Sequence, residues 1–495
     1  MKKFLIVLVS ILLIVVIAVG ALAFVANNYI NNQSADDIPA HVDLVPNELG
    51  TITAVGRGLY DANGDRFEIK GINFGNLFIA EGWMTVNSLG AVYNKNGGFE
   101  SVNKEGVVEA YEEIYQDQMD ATLAERFTLD QIDQLNDAFF NAYCTEADFQ
   151  LIADTGLNTI RLPVYYRTFL TTEDRYTLTD EQLCDMNFDD IELVFDKVDK
   201  FMEYAKKYNL KVILDMHGVM GGQSGYEHCG TDTCEFWFND EYIVFMSNLW
   251  QAIAKHYATE RSDLASTILA YDLVNEPTQE QPNLGTGRDQ WDGMDALYDA
   301  IREVDKQHVI SIEGVWYPNC LPAPEEYGWE NVLYQYHFYN WNHDKGVTNE
   351  MFYSMMFALY LESNYNVPKL VGEFNFFGNK DAWSKYLVQY DELGWGWTIW
   401  SYKIVSVGWW DSSWGLVVNK LDLQNAPGTA IEDYELKMDL RTASFDEIME
   451  VWSGESTQYN GQEGVYKLYR DGMLYSVLKD YFGEEFKVSK SNLVR

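Results

Sequence analysis

Ile268-Leu269-Ala270-Tyr271-Asp272-Leu273-Val274-Asn275-Glu276 is the stretch that decides the fold. An apolar, β-rich run ends in an amide and a carboxylate, and Pro277 then stops it. The same design recurs at 68–74, 158–164, 211–217, 309–314, 332–339, 369–374 and 395–402, giving eight runs in all. Continuous apolar strands of this length are buried on both faces, as in a parallel sheet.

The stretches between the runs repeat at helical spacing. In 190–208, Ile191, Val194, Phe195, Val198, Phe201, Met202 and Ala205 form one apolar stripe. The segments 240–257, 292–306, 348–364 and 381–393 read the same way. Strands alternating with amphipathic helices predict an α/β fold, and eight such units predict a closed (β/α)8 TIM barrel. An open doubly wound sheet is the rival. It carries a Gly-rich phosphate loop after an early strand, and this sequence has none.

Outward from the barrel, Asp61-Ala62-Asn63-Gly64-Asp65 holds an Asn-Gly turn between 52–58 and 59–67. It predicts an N-terminal β-hairpin that plugs the barrel's N-terminal end. Segment 76–140 is a long insertion after the first strand, with 12 Asp/Glu against 3 Lys/Arg, and is expected to be helical and solvated. Loops on that side line a barrel's active face. A long loop at 409–428 and a helical region at 445–482 follow the eighth strand. The catalytic domain is expected over 51–485.

Residues 4–26 are apolar except Ser10 and Gly20 and follow Lys2-Lys3. That length suits a membrane span, with the lysines inside. Ala21-Leu22-Ala23 keeps a cleaved signal open. Either way the domain is expected outside the cell, anchored or secreted, with 27–50 as linker. Of the five cysteines, Cys229 and Cys234 enclose Gly-Thr-Asp-Thr, a loop that a disulfide would close in that compartment. A zinc site is a poor fit, with only His228 beside them.

The 495 residues carry 35 Lys+Arg and 76 Asp+Glu, a net charge of −41. This excludes a nucleic-acid surface and disfavours docking on anionic lipid, leaving 4–26 as the membrane contact. The chain is 47% hydrophobic and 15% aromatic, too apolar for disorder. Excess Trp and Tyr in an acidic chain suit a cleft where rings stack on neutral polar ligands.

Polar groups at the C-terminal ends of barrel strands face the active side. Here they are Asn73, Arg161, Asp215 and His217, Asn275 and Glu276, His337 and Tyr339, Glu373, and Trp400 with Ser401. Glu276 and Glu373 end the fourth and seventh strands, where an unpaired acid is costly. Two carboxylates across one gap are the apparatus of glycoside hydrolysis, one giving a proton and one attacking the anomeric carbon. Arg161 would keep Glu373 ionised, and the Asn275 amide would hold a sugar 2-hydroxyl.

These ordered motifs resemble glycoside hydrolase family 5, in the clan of retaining hydrolases whose acid/base and nucleophile end strands four and seven. The resemblance spans 50–405. It implies Glu276 as acid/base and Glu373 as nucleophile, with Arg161, His217, Asn275, His337 and Tyr339 supporting and Trp400 flooring the subsite of the cleaved sugar. No cofactor and no metal are implied. Ala80-Glu81-Gly82-Trp83-Met84-Thr85 is similar to the Leu-Glu-Pro-Trp-Ile/Met-Thr segment of exo-β-1,3-glucanases, where the Glu binds the terminal glucose. The loop from His217 to Gly225 looks like their His-Gly-x-x-Gly-Ser-Gln-Asn-Gly. Gly82, Ser224 and Phe374 depart from the pattern, standing for Pro, Asn and a common Trp.

The expected partner is a β-linked oligo- or polysaccharide, and the expected action exo-β-1,3-glucosidase. Within the family the alternatives are an endo-β-1,4-glucanase or a mannanase. From another class, the alternative is an inactive, membrane-anchored glycan-binding protein.

Overall fold

In the computed structural model all eight expected strands form one parallel barrel. They are β1 (Lys70–Asn73), β2 (Thr159–Tyr165), β3 (Lys211–Gly218) and β4 (Ile268–Asp272), then β5 (Val309–Glu313), β6 (Val332–Tyr339), β7 (Lys369–Asn375) and β8 (Gly396–Ile399). Each pairs with its sequence neighbour, and β8 returns to β1 through Thr398 opposite Gly71. The structure describes residues 33–45, 47–89, 91–93, 99–102, 108–109, 114–277, 290–314, 318–405, 412–419, 438–454, 458–459, 462–463 and 468–488.

Register brings the site together. Asn73 on β1 lies opposite Arg161 on β2, and His337 on β6 opposite Glu373 on β7. The outer helices bury much of the stripes read from sequence, although Ile191, Val194 and Phe195 of the 190–208 stripe precede their helix. Helix Asp196–Lys207 turns Val198, Phe201, Met202 and Ala205 inward, at the spacing that puts side chains on one face. At the barrel's other end, the expected hairpin is a three-stranded antiparallel sheet, Thr53–Val55, Gly58–Tyr60 and Arg66–Phe67. Its Leu59, with Ile52, packs on Ile69, Ile213, Leu269, Val309, Leu333 and Leu370, so the sheet plugs the N-terminal mouth.

The insertion differs from expectation. It contains an antiparallel sheet, Ala91–Tyr93, Phe99–Val102 and Val108–Glu109, before helices Gln116–Arg126 and Leu129–Tyr143. Those helices are not solvated all round. Met119, Leu123, Ile132, Leu135 and Phe140 enter the main core, Glu125, Asp130, Asp133 and Asp137 face outward, and Asp120 is buried against Arg175. Net charge describes only that outer face, whereas the apolar spacing fixes the inner one. The terminal region is two helices, Phe445–Trp452 and Met473–Phe482, with short strands between them.

The thiols of Cys229 and Cys234 are not joined. Cys229 Sγ donates to the Thr231 carbonyl (3.1 Å) and Cys234 Sγ to that of Gln223 (3.4 Å), so each sulfur is turned to a different segment. Among the described residues, no helix is long and apolar enough to cross a membrane. The 4–26 run lies outside the described residues, as do Trp409 and Trp410 in the 409–428 loop. From Ser34 on, the expected linker touches the barrel base: Ile38 is buried and the Pro39 carbonyl accepts from the Tyr60 hydroxyl (3.0 Å).

Candidate active site

Arg161 organises the C-terminal mouth of the barrel. Its side chain is fully buried, so every N–H needs a partner. Nε donates to Asp272 Oδ2 (2.9 Å), Nη1 to Asn73 Oδ1 (3.1 Å) and Glu373 Oε1 (2.8 Å), and Nη2 to Asn275 Oδ1 (2.8 Å). Asp215 Oδ1 sits 3.1 Å from Nη2. One planar fork thus sets the rotamers of groups from four strands and of Asn275 beyond β4. Asn73 is fixed in turn by donating to the carbonyls of Gly372, Thr398 and Ile399.

Glu373 has a second donor, the Tyr339 hydroxyl, at 3.0 Å from Oε2. Glu276 lies just past β4, on a backbone with φ +40°. For a non-glycine residue that costs about 1–3 kcal/mol and persists only where the surroundings impose it. Here its N–H is pinned to Glu313 Oε2 at 2.9 Å. Its Oε1 lies 2.8 Å from His337 Nδ1, and its Oε2 lies 3.3 Å from His228 Nδ1. One oxygen of Glu276, one of Glu373 and a His337 nitrogen all lie within 4.8 Å of one another.

The two carboxyls differ electrostatically. Burial pushes Glu276 well above the usual range, and the Glu373 and Glu81 charges push the same way. Burial also raises Glu373, but there the Arg161 guanidinium pulls back, helped by the Tyr339 hydrogen bond. Glu373 is therefore the easier of the two to ionise, and its charge then holds the proton on Glu276. Around them, burial raises Asp215 to about 7 against the pull of Arg161, and raises Asp272 and Glu313 too. A buried site with five acids and one guanidinium keeps protons on several of them. Burial depresses His217 and His337, leaving both neutral.

Glu276, His337 and Glu373 also have the donor types of a metal site. Two of those donors already bond each other, and the third is bonded by Arg161. A cation there would face a guanidinium, which disfavours it.

A cavity of about 470 Å³ opens over this cluster. Its floor and walls include Asn275, Glu276, Tyr339, Glu373, His217 and Trp400. The Trp400 ring lies parallel to His217, with centroids 5.4 Å apart and planes at 10°. A Cβ on Gly75 would sit 3.3 Å from that indole and 2.9 Å from Met84, which is why a glycine follows Phe74. Glu81 enters the wall too, its Oε2 accepting from Trp83 Nε1 (2.6 Å). At the rim, Trp341, 51% exposed, stacks on Trp414 with planes at 16°. Every residue singled out from sequence is thus gathered at one mouth. A second cavity, of about 440 Å³, lies between the insertion helices and the start of helix Asp196–Lys207 and holds none of them.

Sequence reasoning passed over Glu313, Asp272 and the placement of His228. Glu313 ends β5 as an acid after a buried apolar run, the same signal that marked Glu276. His228 comes from the loop after β3, and strand ends alone do not point to it.

The cellulase model (glycosyl hydrolase family 5) matches residues 119–406. Glucan 1,3-beta-glucosidase 2 of Wickerhamomyces anomalus is 29% identical over 249 residues, 50% of this chain and 50% of that protein. Endoglucanase 3 of Fibrobacter succinogenes is 30% identical over 198 residues, 39% of this chain and 27% of that one. The chain spans about half the length, or less, of the curated relatives it matches. A β-glucanase structure from Saccharophagus degradans, solved with cellotetraose, covers 85% of this chain and 99% of its own, at 16% identity and a TM-score of 0.44.

Proposed function

Because the chain belongs to the cellulase family of glycosyl hydrolases, family 5, by a match over 119–406, we propose that it is a retaining β-glycosidase acting on a β-glucan, of exo-β-1,3-glucosidase type. The observation that carries the mechanism is the approach of Glu276 and Glu373 oxygens to within 4.8 Å. Retaining enzymes hold their carboxyls about 5–5.5 Å apart, whereas inverting ones leave about 6.5–9.5 Å for a water.

Each group has a step. Ionised Glu373 attacks the anomeric carbon, forming a carbon–oxygen bond as the glycosidic bond breaks. Glu276 gives its proton to the departing oxygen. Water then attacks the same carbon, passes a proton to Glu276, and the ester bond to Glu373 breaks. Burial pushes Glu373 up to about 8, and Arg161 and Tyr339 favour its charged form against that push and aim it. His337 orients the Glu276 carboxyl. Asn275 Nδ2, His217 Nε2 and His337 Nε2 have no hydrogen-bond partner among the described residues. A polyhydroxylated sugar in the cavity would supply partners, with Asn275 at its 2-hydroxyl and Trp400 beneath its ring.

Glu81 in the cavity wall supports exo action, because a carboxylate there would take the hydroxyls of a chain end. The 29% identity with a glucan 1,3-beta-glucosidase supports the linkage. The domain over 51–485 works outside the cytoplasm, anchored or secreted through 4–26, a reading supported by the apolar run itself. The test is hydrolysis of laminari-oligosaccharides, cello-oligosaccharides, mannan and an aryl β-glucoside, with Glu373→Ala as the blank. Glucose released singly from the laminari series is expected. Cleavage of only the cello series or mannan would overturn the linkage, and binding without turnover would overturn the enzyme.

A further inference from the structure

We propose that His228, anchored by Ser224, is a positioning residue for the Glu276 carboxyl, presenting Nδ1–H to Oε2 and setting the pH at which that carboxyl loses its proton. This rests on the glycosidase reading above and extends it to a residue outside the strand ends.

A chain of polar contacts fixes the ring. The Tyr226 N–H donates to Ser224 Oγ (3.2 Å), and Ser224 Oγ lies 3.0 Å from His228 Nε2. Ser224 Oγ still has its own hydrogen to give, and we assign that hydrogen to Nε2. That leaves the proton on Nδ1, which faces Glu276 Oε2 at 3.3 Å. Ser224 is also one of the positions where this chain departs from the loop motif it resembles. The loop has little freedom to move away. His228 sits on the one-turn element Glu227–Cys229, closed by Gly230 at φ +81°. The Cys229 carbonyl lies so close over β3 that a Cβ on Gly218 would come within 2.5 Å of it.

Other groups face the same carboxyl. His337 on β6 contacts Oε1, and Glu313 on β5 binds the backbone N–H. Beyond burial, the Glu373, Glu81 and Asp215 charges raise Glu276, and Arg161 lowers it. His228 itself faces the His217 ring at 6.2 Å and that of Tyr226 at 5.9 Å. Burial, aided by His217, depresses His228 to about 3. It therefore stays neutral while Glu276 titrates, so its effect on the ionised carboxylate comes from the Nδ1–H dipole across the 3.3 Å contact. Removing that donor raises Glu276 further.

The test is the pH profile of kcat/KM on an aryl β-glucoside for the parent, His228→Phe and Ser224→Ala. His228→Phe keeps a ring and removes both nitrogens, and Ser224→Ala frees the ring. The basic limb, set by Glu276, is expected to move up by about 0.5–1 pH unit in His228→Phe, and by less in Ser224→Ala. The acidic limb, set by Glu373, stays. An unmoved basic limb in either folded variant overturns the proposal, since a purely structural role lowers the whole profile without shifting one side. Should the parent hydrolyse nothing on the panel, the glycosidase reading fails separately. A 13C titration of labelled glutamate carboxyls, with Glu276 assigned through Glu276→Gln, then decides the positioning role: an unchanged Glu276 titration in His228→Phe overturns it.

Discussion

Arg161 Nη1 lies 2.8 Å from Glu373 Oε1, and among the described residues no lysine or arginine forms an ion pair with Glu276. One carboxyl is held by a permanent cation and the other by neutral imidazoles. That asymmetry divides the labour between two acids of the same type.

Removing the cation should therefore cost both stability and chemistry. Arg161→Ala leaves Asp215, Asp272 and Glu373 around an empty buried site. The expected loss is roughly 3–5 kcal/mol of folding stability, read as a fall in the urea midpoint, with activity nearly abolished. A variant as stable as the parent would show that the acids are neutral without Arg161.

The two glutamates should fail differently. Glu373→Ala removes the attacking group and should abolish hydrolysis of every substrate. Glu276→Ala should lose about 10²–10⁴-fold on glucans, whose leaving oxygen needs a proton. It should lose far less in the first step on an aryl glycoside with an acidic phenol. Burst kinetics separate the steps, and equal losses on both substrate types would remove the acid role from Glu276.

Stability should fall as pH rises through neutrality. Burial raises Asp215 to about 7, so the folded chain keeps a proton that the unfolded chain releases near 4. That contribution is fully present below about 4 and lost as pH rises through about 7. The acidic surface acts in the same direction by self-repulsion. Asp215→Asn, neutral at every pH, isolates the buried share: its melting temperature should depend less on pH between 5 and 8 than the parent's.

Charge should also select substrate. Glu81, Glu227 and Glu373 line the cavity beside Glu276, and among the described residues no lysine or arginine lines it. Uronic-acid or carboxymethylated glucans should be turned over about tenfold or more slowly than neutral ones, a gap of about 1.4 kcal/mol. Salt should narrow the gap for charges near the rim. Equal rates at low salt would place the negative groups outside the reach of the acidic wall.

The barrel was legible because burial on both faces writes itself as apolar runs, and the eight runs align with β1–β8. The site was legible for the same reason: a charged or amide residue at the end of such a run, as at Asn275 and Glu373, has no packing explanation. What lay beyond reading depends on tertiary placement. The strands Ala91–Tyr93, Phe99–Val102 and Val108–Glu109 are short, and the Asn96-Gly97 turn signal between the first two is outweighed by the acidic composition of the segment. His228 reaches Glu276 only because the loop after β3 folds back over the barrel mouth, a contact 48 residues apart in sequence that no local pattern encodes. The Cys229–Cys234 spacing suggested a bridge, but spacing alone does not fix where the sulfurs point.

The central claim is that Glu373 forms a covalent glycosyl-enzyme across from Glu276. The most direct test is to follow, by proton NMR in the first minutes of hydrolysis of an aryl β-glucoside or laminari-oligosaccharide, which anomer of glucose is released. Two displacements at one carbon predict the β-anomer first, followed by slow mutarotation. Initial release of the α-anomer would mean a single displacement by water and would contradict the account.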